Sequence, residues 1–312
     1  MRGQPQIDVG GWRRRLTEAG IEPTLAAALA ELVRPRIALL PGAAAADSAL
    51  LVGSSRLGGG PDLPAGMPWP VRQPYRLVVP RGNRTPLQRE RPLAFLAQIA
   101  MSDATAVGGT DLGLPKWGLL SFFYDAESQP WGFDPGDAVG FRLMWFDDRG
   151  LQRREPPEAL EQRFNPVPLA AQACECVPPV ETFVVSQILT RAADAKSARR
   201  QLVDLLAGAA RETFSLAGHA LGGWPCPIQG EMETECQLVA NGVFCGGPEG
   251  FSSERAARLR PGAADWRLIL QLDTDERAGW MWGDGGKIYV WMREQDVRAR
   301  RFDRCWTILQ CY

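Results

Sequence analysis

Apolar positions recur at helical spacing in two stretches of the chain. Pro23 stands where a first helical residue would, Leu25, Leu29, Leu32 and Val33 follow on one face, and Pro35 closes the run. This pattern predicts a helix over 23–34. Between Ala192 and Phe214, residues Leu202, Val203, Leu205, Leu206 and Ala209 share a face, while Arg199, Arg200 and Arg211 lie elsewhere, which predicts a second helix. Almost all the rest is short apolar or aromatic runs cut by Gly, Pro and Asp: PLAFLAQIA, GLLSFFYD, VGFRLMWF, WRLILQLD, GKIYVWM and WTILQC. Runs of that length, bounded by turn residues, predict strands. The class is therefore α+β, with mostly antiparallel sheets and two main amphipathic helices.

The strands repeat. Leu57-Gly58-Gly59-Gly60-Pro61 matches Leu221-Gly222-Gly223-Trp224-Pro225, and the strand around Gln98 matches the strand around Gln271. A third pair, Gly118–Tyr124 and Gly286–Met292, follows in the same order. The offsets are 164, 173 and 168 residues (57 to 221, 98 to 271, 118 to 286), a drift that loop insertions produce. The chain thus reads as an internally duplicated strand-rich unit. Residues 1–50 form an N-terminal helical segment packed on the body and 51–149 the first copy. Residues 150–215 connect the copies and carry the second helix, and 216–312 form the second copy, all within one compact domain. The connecting segment is Pro-rich, yet it contains CECV and FVVSQIL, so it is expected to pack rather than swing free.

Composition narrows the function classes. With 45% hydrophobic and 23% charged residues the chain is an ordinary globular one, and its formal net charge of −1 gives no global field to attract a polyanion, so no nucleic acid is expected. The amino terminus lacks the apolar core of a signal peptide and no stretch has the length of a membrane span, so a cytoplasmic location with no membrane contact is expected. Seven cysteines, an odd number with no C-x-x-C spacing, suit a reducing compartment. Cys174-Glu175-Cys176, on an expected strand, has no second pair nearby to complete a zinc site.

Chemistry-bearing residues are few. His219 is the only histidine, which excludes two-histidine metal sites; it is either a lone general base or, with Gln229, a group that satisfies irregular backbone. Asp273 and Asp275 follow one strand and Asp284 sits in the Gly-rich turn into the next. Convergence at a sheet end would let these carboxylates hold calcium or activate a water, whereas turn chemistry alone accounts for Asp284. Gln98 and Gln271, at matching places in apolar strands, are expected to bond the LGG turns. Trp280 and Trp282 share a sheet face, as a stacking platform or as core. The glycine clusters lack the Gly-Lys-Ser/Thr of a phosphate loop, so no nucleotide cofactor is expected, and no metal.

At SSRLGGGPDLPAGMPWP, PLAFLAQI, GHALGGWPCPIQGEM, WRLILQLDTD, MWGDGGKIYVW and WTILQC the chain resembles the YwqG-like family of bacterial domains, from about Ser54 to Tyr312. The resemblance implies a duplicated α+β fold and no known reaction; some members lie near secreted-toxin genes, which leaves room for an immunity-type role. Two departures stand out. Ala220 follows His219 where relatives carry a long polar residue, and residues 71–91 form an insertion with Arg72, Arg76, Arg81, Arg84, Arg89 and Arg91 against Glu90 alone. That insertion is expected to be an exposed hairpin with Arg81 and Arg84 at its tip, able to dock an acidic protein partner. The leading expectation is a non-catalytic binding or interaction module. The alternative is an enzyme or a small-ligand or metal-binding protein that uses a cleft between the copies, with His219, Gln229, Asp273, Asp275 and Asp284 around it.

Overall fold

The computed structural model describes residues 8–78, 84–108, 112–212 and 218–312, and of residues 84 and 208–212 the backbone only. Ten strands form one sheet: β1 (Arg34–Pro41), β2 (Arg56–Leu57), β3 (Ala94–Ala100), β4 (Leu119–Tyr124), β5 (Phe141–Phe146), β6 (Val167–Cys176), β7 (Ala220–Leu221), β8 (Trp266–Asp273), β9 (Lys287–Arg293) and β10 (Trp306–Gln310). Their order is β5-β4-β3-β2-β6-β1-β7-β8-β9-β10, and every neighbouring pair is antiparallel. The order is symmetric about the β6/β1 pair, with β2 to β5 on one side repeated by β7 to β10 on the other. The α+β class and the duplication thus hold, and all six runs expected as strands are strands.

The sheet's outer ends approach each other. Trp306 of β10 packs edge-on against Phe141 of β5 at 5.4 Å between centroids, and its Nε1–H donates to the Gly132 carbonyl (2.8 Å). One core runs through both copies, from Ile37 and Leu57 to Trp282 and Trp291. Trp280 and Trp282 belong to that core, packed against Phe164, so they form no exposed stacking platform.

Three segments differ from expectation. The first predicted helix is the second of a pair: Val9–Glu18 (α1) precedes Pro23–Ala30 (α2), and the chain is extended again by Arg34. Pro35 is the physical reason, since the residue before a proline is pushed out of the helical region. Helix α1 was hidden by Gly10-Gly11; Asp8 caps it, accepting from the Gly11 N–H at 2.7 Å. In the connecting segment Phe183–Leu189 is α3, and the second predicted helix spans Ala195–Glu212 (α4), while Phe214 lies outside the described residues. The helices make a separate small core in which Leu16, Leu25, Leu29, Val185 and Leu202 meet. The third difference is the arginine insertion. Tyr75–Val78 pairs with Arg84–Leu87 as a hairpin, but the segment is not wholly exposed: Leu77 and Val78 are buried, and Arg72 is buried with its Nε 2.8 Å from Asp125 Oδ2. A neighbouring carboxylate overcomes the mutual repulsion expected to keep the arginines out. Arg91 pairs with Glu161, Arg76 and Arg89 are exposed, and Arg81 and the side chain of Arg84 lie outside the described residues.

Candidate functional site

The two LGG turns are held by one device used twice. Gln98 Oε1 accepts the Asp62 N–H (2.9 Å) and its Nε2 donates to the Ser54 carbonyl (2.9 Å). Gln271 Oε1 accepts the Cys226 N–H (2.9 Å) and its Nε2 donates to the Gly218 carbonyl (2.7 Å). Each amide therefore ties the start of a turn to a point eight residues on. Gly58 and Gly222 donate to the carbonyls of Leu96 and Ile269, and β3 and β8 each carry a bulge there, between Phe95 and Ala97 and between Leu268 and Leu270. Both glutamines are fully buried, so the bonds satisfy groups that water cannot reach. Superposing the devices sets Ser55 on His219 and Asp62 on Cys226.

His219 has no nitrogen to spare. Its Nδ1 accepts the Asp273 N–H (3.0 Å), so the ring proton lies on Nε2, which donates to Asp275 Oδ2 (3.1 Å). Asp275 also receives Arg277 Nε on Oδ1 (2.9 Å) and Nη2 on Oδ2 (2.5 Å). Burial alone would push the Asp275 carboxyl up, but the bonds from His219 and Arg277 hold it well below the usual carboxylate range. A base needs a free lone pair, and this imidazole has given its own to the backbone. The other candidates scatter. Asp273 pairs with Lys287 Nζ (2.5 Å), exposed Asp284 accepts the Tyr312 N–H through its carbonyl, and the Gln229 amide donates to the Cys311 carbonyl (2.8 Å). The structure thus joins His219, Asp273 and Asp275 and sets Gln229 and Asp284 against the chain's last residues. Among the described residues no three His, Cys, Asp or Glu side chains cluster as a metal would require.

A recess of about 320 Å³ lies elsewhere. Its walls are the start of β1 (Arg34, Pro35), the Gly222-Gly223 turn, the bulge of β8 (Arg267, Leu268), the short helix α5 (Glu294–Arg298), and Leu112 and Gly113 from the first copy. Three guanidiniums face one carboxylate. Glu294 Oε2 takes Arg267 Nη2 at 2.5 Å and its Oε1 takes Arg298. Arg34 forms no ion pair or hydrogen bond with any described side chain; its Cζ lies 3.7 Å from the centroid of the Trp224 ring, a cation–π contact. Burial, aided by the like charge of Arg267, pushes Arg34 down to about 10. Glu233 and Glu294 act on it in the opposite sense; burial and the neighbouring Glu231 push the Glu233 carboxyl up to about 8, and Glu294 is already paired with Arg267 and Arg298.

The first copy has a recess at the corresponding place, of about 200 Å³, where Gly59 and Phe95 stand for Gly223 and Leu268. Its lining is Asp47, Glu155, Gln162 and Arg163 with Trp69, Phe95 and Phe164. The hollow is a product of the fold; the concentration of arginine belongs to the second copy. Sequence reasoning singled out the Gly222-Gly223 turn but not Arg34 and Arg267, whose separation of 233 residues leaves no local signal.

The family model described as Domain of unknown function (DUF1963) matches residues 55–311, and the chain belongs to that family. No curated protein matches the chain.

Proposed function

From membership of a family without an assigned activity, we propose that this chain is a non-catalytic binding module that takes an anionic group, carboxylate or phosphate, into the Arg34 recess. The observation that carries the reading is the Arg34 guanidinium: largely buried, without a carboxylate partner among the described residues, and in the wall of a hollow of ligand size. A cation that has lost water, beside a single carboxylate already paired with two other arginines, favours an incoming anion, and arginine meets planar oxyanions with two parallel N–H donors. The engaged nitrogens of His219 also argue against acid–base catalysis centred on that residue. The motif resemblance to YwqG-like proteins is compatible with a binding role and supplies no reaction.

The test uses inorganic phosphate and citrate as probes, followed by calorimetry and by the shift in melting temperature. Wild type is expected to bind at least one of them, more weakly as salt rises, and Arg34→Met to lose that binding while keeping its circular dichroism spectrum. Neither probe binding, or binding untouched by Arg34→Met, would overturn the proposal.

A further inference from the structure

The duplication separates what the fold requires of the Arg34 recess from what it does not. Gln98 pairs with Ser121 as Gln271 pairs with Tyr289, and Leu57 pairs with Val167 as Leu221 pairs with Ile37. Counted along the chain from these pairs, Arg34 takes the place of Phe164, Arg267 that of Ala94 and Glu294 that of Ala126. The bonds from Gly58 to Leu96 and from Gly222 to Ile269 carry the same alignment across the two bulges. The first copy therefore builds the same turn, bulge and hollow with an aromatic ring and two methyl groups at these three positions. The frame does not need the charges.

The charges do share one wall. Among the described residues the recess is lined by three guanidiniums, Arg34, Arg267 and Arg298, and one carboxylate, Glu294, which leaves two positive charges in excess. Arg267 is held firmly: its Nη1 donates to the Ala264 and Trp266 carbonyls (2.6 and 3.0 Å) and its Nη2 to Glu294. Arg34 meets Trp224 through its guanidinium carbon, 3.7 Å from the ring centroid, a contact that uses no N–H. A monocarboxylate or a phosphodiester would bring one negative charge and leave one of the two in excess unanswered. A phosphate monoester brings about 1.5 to 2 negative charges at pH 7 and three acceptor oxygens. Pro35, Leu112, Leu268 and Val297 add apolar lining, which free phosphate would leave uncovered and an organic group would cover.

We propose, resting on the anion-binding reading of this recess, that its ligand is the phosphate monoester of a small organic alcohol. The dianionic phosphate lies against Arg34, Arg267 and Arg298, and the organic part lies against the apolar lining. Glu294 spans two of the three guanidiniums and sets the charge excess that selects a dianion.

The test is calorimetry at constant salt and pH 7.5 with phenyl phosphate, inorganic phosphate, methyl phenyl phosphate and benzoate. Phenyl phosphate should bind roughly tenfold or more tighter than each of the others, because inorganic phosphate lacks the organic part and the other two are monoanions. Arg267→Ala copies Ala94 of the first copy, so it should fold and bring phenyl phosphate down to the level of benzoate. Should that variant fail to fold, Arg298→Ala, at a largely exposed side chain, should weaken phenyl phosphate in the same direction. Benzoate or the diester binding as tightly as phenyl phosphate, through Arg34, would overturn the monoester and leave the anion site standing. Inorganic phosphate binding as tightly as phenyl phosphate would assign free phosphate and overturn it equally, as would phenyl phosphate binding untouched by loss of Arg267 or Arg298. If no anion binds through Arg34, the site itself falls and the monoester with it.

Discussion

Replacing Gln98 by leucine removes the amide that closes the first LGG turn and keeps nearly the same volume. The substitution deprives the buried Asp62 N–H of its acceptor, takes a donor from the Ser54 carbonyl and takes another, at 2.6 Å, from the Asp62 carboxylate. A buried polar group left unpaired costs about 1–3 kcal/mol, and with the Ser54 carbonyl half-exposed the three losses together should cost about 3–5 kcal/mol. Asp62 is not wholly stranded, because Arg153 and the Gly53 N–H still reach it. Gln271→Leu strands the Cys226 N–H and the Gly218 carbonyl but no carboxylate, so it should cost less, about 2–4 kcal/mol. At about 2 °C per kcal/mol for a chain of this size, thermal melts should show losses of roughly 6–10 °C and 4–8 °C. Gln229→Leu, at an exposed amide bonded to the Cys311 carbonyl, is the control and should cost under about 1 kcal/mol. If Gln98→Leu melts within about 1 °C of wild type, the duplicated device does not hold the turns and the equivalence of Asp62 with Cys226 loses its basis.

Acidity should raise stability before it lowers it. Burial pushes Glu233 and Glu235 up to about 8 and Asp137 to about 7, so the folded chain keeps protons that the unfolded chain has released, and stability should fall as pH rises from about 5 to 8. Asp62 and Asp275 are shifted the other way, and their contribution is present above the ordinary carboxylate range and lost below it. Melting temperature should therefore peak near about pH 5, and a flat or rising profile from pH 5 to 8 would contradict this account. His219→Ala leaves the Asp273 N–H unpaired and removes one donor from Asp275, so it should cost about 2–4 kcal/mol by thermal melt. The same variant should bind phosphate or citrate at the Arg34 recess as tightly as wild type, and loss of that binding would return His219 to the ligand site.

Most strands were legible because each is an apolar run stopped by turn residues, and the repeat was legible because the turns and the buried glutamines recur in order. Strand β1 was not. Its sequence, RPRIALLP, opens with arginines that read as a helix end and holds two prolines, yet it is central to the sheet because β6 and β7 supply its partners. The carboxylates at 273 and 275 take separate salt-bridge partners, Lys287 and Arg277, and Asp284 follows turn chemistry. Arginine is read by default as solvent-facing, and that default hid Arg34, Arg36 and Arg72 alike. Which cation is buried depends on what lies opposite it, and sequence order does not record this.

Arg56 and Arg36 are both fully buried cations beside an LGG turn, but the frame answers them differently. Arg56 lies among Asp47, Asp62 and Arg153, a network with as many carboxylates as guanidiniums. Arg36 passes Gly223, whose φ of +73° and lack of a Cβ leave it room; a Cβ there would lie 2.7 Å from Arg36 Cβ. It then ends among sulfurs, with Cys226 Sγ at 3.4 Å and Cys176 Sγ at 3.9 Å from its Nη1. Since one backbone frame accommodates both solutions, the fold does not dictate the chemistry of the second.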